Sequence, residues 1–294
     1  MNFELVPLEN SFAAEVRKLD LAADIKDEDF SALREAFHQR GVLLFRDQQL
    51  SEEQHINFSR RFGPLEIHIA KQYLLEGHPE IVVLSNKVVD GKAVGIEDAG
   101  RFWHSDLSYI ENPSLASLLY ALEVPPPQAG GNTPYASMYE AYDALDESMK
   151  NRLRDLRAVH SYEQRWQKDA DRGMQRKQLK DSERQQLPEV SHPVVRHHPL
   201  TGRPALYVNE GFTVRIEGLP ESESRSLLDF LFQHSCDERF VYTHQWRAGD
   251  LIMWDNACVV HSASWYDPAY TRHLHRTTIA GPGSTARSQS VAGM

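Results

Sequence analysis

The chain has 294 residues, of which 41% are hydrophobic and 25% charged, and its formal net charge is -10 at pH 7. These values are those of an ordinary globular protein, long enough for one large domain or two small ones. The negative charge argues against a nucleic-acid partner, because the phosphate backbone is bound by basic residues. It does not exclude a small anion, since a pair of arginines can outweigh the global balance locally.

The cysteines and the lengths of the apolar runs indicate the cellular compartment of the protein. No apolar run approaches the roughly twenty residues of a transmembrane helix, and the first residues lack the basic and apolar regions of a secretory signal. Cys236 and Cys258 are the two cysteines, without a CxxC pair, so neither a disulfide framework nor a cysteine-rich zinc site is expected. We therefore expect a cytoplasmic protein without membrane contact.

Hydrophobic periodicity and turn residues predict a chain in which helices come early and between strands, and most strands come late. The predicted elements are a strand-forming segment over 1–25, a helix from Asp27 to Gln39, a buried strand over Val42–Phe45, a helix from Ser51 to Phe62, strands over Glu80–Val89, Arg101–Tyr109 and Leu115–Leu122, a helix from Ser137 through Leu156, strands around Val194, around Leu206–Val208 and over Phe212–Ile216, a helix from Glu221 to His234, and closing strands over Phe240–Trp246, Asp250–Trp254, Cys258–Ala263 and Arg272–Ala280. Ser51 and Ser137 each open a capping box, and Gly41 ends the first helix.

Neither a repeat nor a linker divides the chain, so we expect a single domain over 1–282. The pattern indicates a mainly β protein with flanking helices, arranged as a sandwich or jelly roll. Residues 163–189 have few apolar side chains, which is typical of a solvated loop and also of a mobile lid over a site. Residues 283–294 are predicted to form a disordered tail.

The stretch from Arg101 to Tyr109 carries the most distinctive chemistry. Its aromatic and apolar residues predict a β-strand, in which side chains two positions apart share a face. His104 and Asp106 would then direct an imidazole and a carboxylate to one point, as two ligands of the 2-His-1-carboxylate triad that holds Fe(II). Taken alone, the pair also fits an ordinary histidine beside a carboxylate, because a His-x-Asp triplet readily arises by chance.

A third ligand and two arginines follow near the end of the chain. His261 is the candidate for the remaining metal ligand, although a single buried histidine is more often a satisfied core residue. Arg272 and Arg276 come after it, and in a strand their even spacing puts both guanidiniums on one face. Burying a charge is costly unless it is paired, and planar recognition of a carboxylate would supply the pairing.

Several motifs occur together, in one order, along nearly the whole chain. They are Phe62-Gly63, Trp103-His-Ser-Asp106, Gly130-Gly-Asn-Thr133, His192-Pro-Val-Val195, Leu206-Tyr-Val-Asn-Glu-Gly-Phe-Thr213, Trp254-Asp-Asn256, His261, and Arg272 with Arg276. As a set they resemble the taurine dioxygenase / 2,4-dichlorophenoxyacetate dioxygenase family of Fe(II)- and 2-oxoglutarate-dependent oxygenases. The resemblance implies a double-stranded β-helix, or jelly roll, with the metal inside.

The resemblance also implies roles for the residues of the metal centre. His104, Asp106 and His261 match the iron ligands. Thr133 and Arg272 match the residues that hold the distal carboxylate of the co-substrate 2-oxoglutarate, whose 2-oxo acid end would chelate the iron and leave one position for O2.

The remaining matches concern the primary substrate. Arg276 matches an arginine close to the proximal carboxylate of 2-oxoglutarate and to an anionic group of the substrate, and His68 and the backbone amide of Leu107 match substrate contacts in the taurine enzyme. The sequence departs from that enzyme at Lys71, where an aromatic residue contacts taurine, and at Gly100, where an asparagine does. These departures argue against taurine itself, and Lys71 would add a positive charge for a larger or more acidic substrate.

The expected reaction is oxidation of a C–H bond in a small anionic substrate, such as a sulfonate, an aryloxy acid, a sulfate ester or a natural-product acid, with succinate and CO2 as co-products. Two alternatives stay open: a non-oxidative metal-dependent hydrolase or isomerase on the same barrel, and a binding protein that keeps the fold without turnover. A homodimer and a homotetramer are both compatible with the sequence.

Overall fold

The computed structural model describes residues 2–9, 11–68, 71–97, 100–164 and 187–281. Over these ranges the chain forms five α-helices and eighteen β-strands, so the prediction of a mainly β protein with flanking helices is confirmed. The predicted tail lies outside the described residues, and so does most of the predicted lid. Among the helices in these ranges, none combines the length and the apolar character that crossing a membrane requires.

The helices begin and end largely where the capping residues place them. They are α1 (Asp27–Arg40), α2 (Glu52–Arg60), α3 (Met138–Asp143), α4 (Glu147–Leu153) and α5 (Glu221–Ser235). Gly41 ends α1 in the left-handed conformation, and Ser51 and Gln54 form a complete capping box at the start of α2. The single helix predicted from Ser137 through Leu156 is wrong, because Asp146 caps a new helix by accepting a hydrogen bond from the Met149 amide at 2.7 Å.

The strands form one large sheet and several small ones. They are β1 (Glu4–Pro7), β2 (Ala14–Arg17), β3 (Val42–Phe45), β4 (Leu74–Leu75), β5 (His78–Ser85), β6 (Val88–Val89), β7 (Lys92–Ala93), β8 (Ala116–Glu123), β9 (Thr133–Ser137), β10 (Arg157–His160), β11 (Val190–Pro193), β12 (Val195–His197), β13 (Pro204–Leu206), β14 (Thr213–Ile216), β15 (Val241–His244), β16 (Leu251–Asp255), β17 (Val259–His261) and β18 (His273–Ile279). The eight-stranded sheet has the order β1-β2-β3-β16-β8-β18-β5-β4, and a three-stranded sheet has the order β15-β9-β17.

The central strands of the large sheet are buried on both faces, which explains why they are continuous apolar runs. In β3, Leu43 and Phe45 belong to the apolar cluster that contains Phe37 of α1. Val42 and Leu44 point the other way and belong to the cluster that contains Tyr135 of β9. Helices α1 and α2 therefore cover one face of the large sheet. The β15-β9-β17 sheet lies on the side of the other face, where α3, α4 and α5 also contribute buried residues.

Two of the predicted strands differ from the structure, and two of the observed strands were not predicted. Arg101–Tyr109 is not a strand, because His104 makes an isolated bridge and the chain then turns. The strand predicted over Glu80–Val89 ends at Ser85, and Val88–Val89 instead starts a small hairpin. The sequence analysis did not predict strands β9 and β10, since helical spacing around them obscured the short extended segments.

Candidate active site

Two of the predicted metal ligands are joined directly through their backbones. The amide of His104 donates to the carbonyl of His261 at 2.9 Å, and the amide of His261 donates to the carbonyl of His104 at 2.8 Å. This antiparallel bridge sets the two imidazole rings side by side, with their centroids 4.2 Å apart. Because His261 is the last residue of β17, the small sheet positions both rings.

Asp106 reaches the same point from the turn that follows the bridge. Its Oδ1 lies 3.7 Å from Nε2 of His104 and 3.2 Å from Nη1 of Arg276. Ligand atoms of His104, Asp106 and His261 all lie within 4.8 Å of one another, and the three residues are buried. The structure thus brings together the three predicted ligands, although by a turn rather than by the predicted strand.

Hydrogen bonds and burial determine the protonation of this cluster. Nδ1 of His104 lies 2.8 Å from the carbonyl oxygen of Phe102, which can only accept, so Nδ1 carries the proton and Nε2 presents a lone pair to Asp106. Burial and the neighbouring His104 lower the pKa of His261 well below its ordinary value. Burial alone would raise the pKa of Asp106, but Arg276, His261 and His104 bring it below its ordinary range. Two neutral imidazoles and one carboxylate form the donor set that suits Fe(II).

A cavity of about 410 Å³ opens beside the histidines, and its walls carry the two residues predicted to bind 2-oxoglutarate. Thr133, Arg272, His104 and His261 all line it. Arg272 is buried, and burial lowers its pKa. Its guanidinium lies 5.8 Å from the ring centre of Tyr266 and has no carboxylate partner within the described part of the chain. Such a cation favours an anionic partner, and the described residues place none beside it.

Thr133 is oriented to assist in binding that anion. Its Oγ1 accepts a hydrogen bond from Nε1 of Trp246 at 2.9 Å, so its own proton remains available to an acceptor in the cavity. Thr133 is the first residue of β9 and is almost fully buried. A hydroxyl donor and a buried guanidinium on one cavity suit the carboxylate of a dicarboxylic acid.

A second cavity, of about 550 Å³, lies on the side of Asp106 and is the candidate substrate cavity. Its polar wall includes Asp106, His68, Glu66 and Arg276, and its apolar wall includes Leu107, Tyr109, Ile110 and Val82. Burial and the adjacent Arg276 lower the pKa of His68 to about 4, so the imidazole is neutral near pH 7. Arg276 lines both cavities, which places it between the predicted site for 2-oxoglutarate and the candidate substrate cavity.

The structure does not bring Lys71 to the substrate cavity. Lys71 starts a short 3-10 helix, is exposed, and is absent from the walls of both cavities. The extra positive charge predicted for the substrate is therefore not supported. Gly100, in contrast, packs directly against the metal centre: a Cβ atom at this position would lie 2.6 Å from Cε1 of His104.

A second cluster of two histidines and one aspartate lies outside both cavities and was missed by the sequence analysis. Oδ2 of Asp255 lies 3.0 Å from Nδ1 of His38 and 2.9 Å from Nε2 of His198. Asp255 is the last residue of β16, and all three residues are buried. Asp255 belongs to the motif Trp254-Asp-Asn256, but nothing in the sequence connects it with His38 and His198, because the three residues come from distant segments.

The chain is similar to known proteins over most of its length. The profile of a family described as taurine catabolism dioxygenase TauD, TfdA family matches residues 4–278. An alpha-ketoglutarate-dependent 2,4-dichlorophenoxyacetate dioxygenase of Cupriavidus pinatubonensis is 36% identical over 92% of this chain and 96% of its own length. A pentalenolactone F synthase of Streptomyces arenae is 33% identical over 85% of this chain and 87% of its own.

Solved structures agree with these sequence matches. The structure of AAD-2 in complex with Mn(II) and N-oxalylglycine superposes with a TM-score of 0.80 at 31% identity, covering 97% of this chain and 100% of the other. A taurine dioxygenase from Burkholderia xenovorans gives a TM-score of 0.79 at 29% identity, covering 96% of this chain and 90% of the other.

Proposed function

Since this chain belongs to the taurine catabolism dioxygenase TauD, TfdA family, we propose that His104, Asp106 and His261 hold Fe(II) for the oxidation of a C–H bond in a small anionic organic substrate. The protein is a 2-oxoglutarate-dependent dioxygenase, an oxidoreductase that uses Fe(II), 2-oxoglutarate and O2. Succinate and CO2 are its co-products. We also propose that the large sheet and the β15-β9-β17 sheet are the two halves of a jelly roll, within one domain over 1–282.

The observation that carries the site assignment is the buried guanidinium of Arg272. A buried cation without an anion among the described residues is costly, and its presence on a cavity beside the ligand cluster is explained by a bound carboxylate. Arg272 and Thr133 would hold the distal carboxylate of 2-oxoglutarate, and Arg276 would lie close to its other end. A non-oxidative hydrolase on this scaffold would have no use for this carboxylate site.

The protein's own contribution to the reaction is charge and geometry. Bound Fe(II) supplies the activation of O2 that is coupled to decarboxylation of 2-oxoglutarate. His261 stays neutral because burial lowers its pKa, and Asp106 stays ionised because Arg276 beside it lowers the pKa of the carboxyl, so the centre keeps one compensating negative charge. The apolar wall of the substrate cavity excludes water from the carbon that reacts.

The walls of the substrate cavity suit a substrate that has an anionic group and an apolar body. Arg276 and neutral His68 lie on its polar wall, where they would anchor the anionic group and leave one carbon near the metal. Leu107 and Ile110 on the apolar wall would contact the body of the substrate. Relatives are named for 2,4-dichlorophenoxyacetate, (S)-phenoxypropionate and sulfonates. We propose that the substrate is an aryloxy acid, a sulfonate, a sulfate ester or a natural-product acid.

Coupled turnover of labelled 2-oxoglutarate tests this function. The chain is incubated with Fe(II), ascorbate and a panel of anionic substrates, and release of labelled CO2 and formation of succinate are measured. Succinate that depends on one member of the panel is the expected result. A metal-dependent product without any loss of 2-oxoglutarate would instead favour a hydrolase or isomerase, and no turnover across the panel would favour a binding protein.

The Arg272 assignment has its own matched pair of variants. Arg272→Ala should raise the KM for 2-oxoglutarate by about a hundredfold, since removing one partner of a buried charge pair costs several kcal/mol. Arg101→Ala is the control, because Arg101 is exposed and lies 5.9 Å from the ring centre of the same Tyr266. An Arg272→Ala enzyme whose KM matches that of Arg101→Ala would mean that the co-substrate binds elsewhere.

A further inference from the structure

Besides the contact of its Oδ1 with Arg276, Asp106 is held at three points, and these three lead to one buried residue, Asn256. The backbone amide of Asp106 donates to Oδ1 of Asn256 at 3.2 Å. Oγ of Ser114 donates to the Asp106 carbonyl at 2.9 Å, and Oγ of Ser117 donates to Oδ2 of the Asp106 carboxylate at 2.6 Å. Both serine oxygens accept from Nδ2 of Asn256, at 3.0 and 3.1 Å.

The orientation of the Asn256 amide is determined by its neighbours. Two N–H groups point at Oδ1, one from the Asp106 backbone and one from the indole of Trp254 at 3.0 Å. Both can only donate, so the oxygen of the amide must face them and the nitrogen must face the serines. The side chain thus uses both lone pairs and both protons, and it is almost completely buried.

This orientation gives the hydrogen bonds at Ser117 a single direction. The amide nitrogen can only donate, so the Ser117 oxygen accepts from it, and its one proton is then available for the carboxylate of Asp106. The carboxylate oxygen can only accept. The relay therefore runs from Asn256 through Ser117 to Oδ2 of Asp106. Oδ1 is left beside Nε2 of His104, 3.7 Å away, and Nη1 of Arg276, 3.2 Å away, with a lone pair for the metal.

We propose that Asn256 is a positioning residue for the metal centre: it fixes the direction of the relay through Ser117, and so commits Asp106 to bind the metal through Oδ1 alone. Partners behind a ligand commonly orient it and tune the metal in this way. The proposal rests on the assignment of Asp106 as a metal ligand in the function proposed above. It adds two residues, Asn256 and Ser117, that touch neither metal nor substrate.

The same contacts extend the effect to the substrate cavity. Leu107 follows Asp106 with φ at 55°, a left-handed conformation that is uncommon for a residue with a side chain. Because the amide and the carbonyl of Asp106 are both held, the turn that contains Leu107 is fixed as well. Leu107 lines the substrate cavity, so one buried amide sets the geometry of a metal ligand and of a substrate wall together.

Binding of Co(II) to the metal-free protein tests the proposal without turnover. Ser117→Ala removes the last bond of the relay and lets both carboxylate oxygens approach the ion, so Co(II) affinity should fall by about tenfold and the visible absorption bands of bound Co(II) should shift. Ser59→Ala is the matched control, because Ser59 is also a fully buried serine with a hydrogen-bonded hydroxyl, bound to His55 and Thr277. The control should leave both affinity and spectrum unchanged.

Asn256→Asp tests the direction of the relay. An aspartate accepts where the amide donated, so Ser117 would turn its proton away from Asp106, and Co(II) affinity should fall further than in Ser117→Ala. A folded Asn256→Asp protein with the wild-type spectrum would overturn the proposal. If that variant does not fold, Ser117→Ala decides, and an unchanged affinity and spectrum there would overturn it. Failure of the wild-type protein to bind Co(II) would instead refute the metal-ligand assignment itself.

Discussion

Two buried clusters in this protein have the same composition, two histidines and one aspartate, but different chemistry. In the first, His104 directs a lone pair at Oδ1 of Asp106, because the other nitrogen of its ring donates to a carbonyl. In the second, Nδ1 of His198 accepts the backbone amides of Leu200 and Thr201. Its Nε2 must then carry the proton that bonds Asp255.

The comparison indicates which property determines whether such a cluster binds a metal. It is the hydrogen-bond partner of the histidine nitrogen that faces away from the aspartate. His198 and His38 both direct their bonding nitrogens at one oxygen of Asp255, and the other oxygen accepts from the amide of Ala257 at 3.0 Å. Three N–H groups satisfy the carboxylate, and the histidine nitrogens that face it carry protons, so they have no lone pair to offer a cation. We therefore expect the first cluster to bind a metal and the second to link helix α1 to strand β16 without one.

The largest effect that separates the two clusters is expected from a matched pair of Asp→Ala variants. Asp106→Ala should lower turnover at least about a thousandfold, equivalent to roughly 4 kcal/mol, because it removes the only anionic ligand proposed. The metal-free variant should lose less stability than Asp255→Ala, because one of the two donors that lose their acceptor, Arg276, faces a cavity. Turnover and Co(II) stoichiometry are measured side by side, and an active Asp106→Ala enzyme would remove Asp106 from the set of ligands.

Asp255→Ala should show the opposite pattern. It leaves three buried N–H groups, from His38, His198 and Ala257, without an acceptor, which should lower the free energy of unfolding by about 3–5 kcal/mol. The folded fraction should still bind one Co(II) per chain. Denaturant titration together with metal analysis checks both points, and loss of the metal without loss of stability would assign the second cluster to metal binding.

The pH dependence of Asp255→Ala sharpens that result. Burial alone would raise the pKa of Asp255, but the hydrogen bonds from His198 and His38 lower it below its ordinary value. A depressed carboxyl pKa contributes stability that is present above the unfolded pKa of about 3.9 and is lost as the pH falls through the folded value. The stability difference between wild type and Asp255→Ala should therefore be constant near neutral pH and shrink below about pH 4.

The sequence was most informative where a feature depends on residues a few positions apart or on the spacing of a family motif. The caps at Gly41 and Ser51 set helix ends by contacts within a few residues, so both could be predicted. His104, Asp106 and His261 could be proposed as ligands because their spacing matched a family pattern. The eight-stranded order of the large sheet could not be predicted, since it depends on long-range pairing such as β3 with β16.

The turn at Asp106 and the second cluster lay beyond sequence reasoning for different reasons. Aromatic and apolar residues at 101–109 favour a strand, and only the tertiary contacts of Asn256 impose the left-handed Leu107 that turns the chain. His38 and His198 lie 217 and 57 residues from Asp255. At such separations no spacing rule connects them, so their contact becomes visible only in the folded chain.

A pair of glycines gives the smallest and most selective test of the two clusters. Gly100 and Gly41 have φ of 72° and 75°, so alanine at either position should cost about 1–2 kcal/mol of stability. Their surroundings differ: a Cβ on Gly100 would lie 2.6 Å from Cε1 of His104, whereas one on Gly41 would meet Cγ2 of Val259 at 3.0 Å. Gly100→Ala should therefore displace the His104 ring and weaken Co(II) binding by about tenfold.

Gly41→Ala serves as the control for backbone strain, because the Gly41 carbonyl accepts from the amide of Asp255 in the second cluster. It should lower the unfolding temperature by a similar amount and leave Co(II) affinity as in wild type. Calorimetric titration of both variants with Co(II), beside their thermal unfolding, separates strain from ligand displacement. Equal Co(II) affinities in the two variants would mean that the His104 ring does not depend on the space left by Gly100.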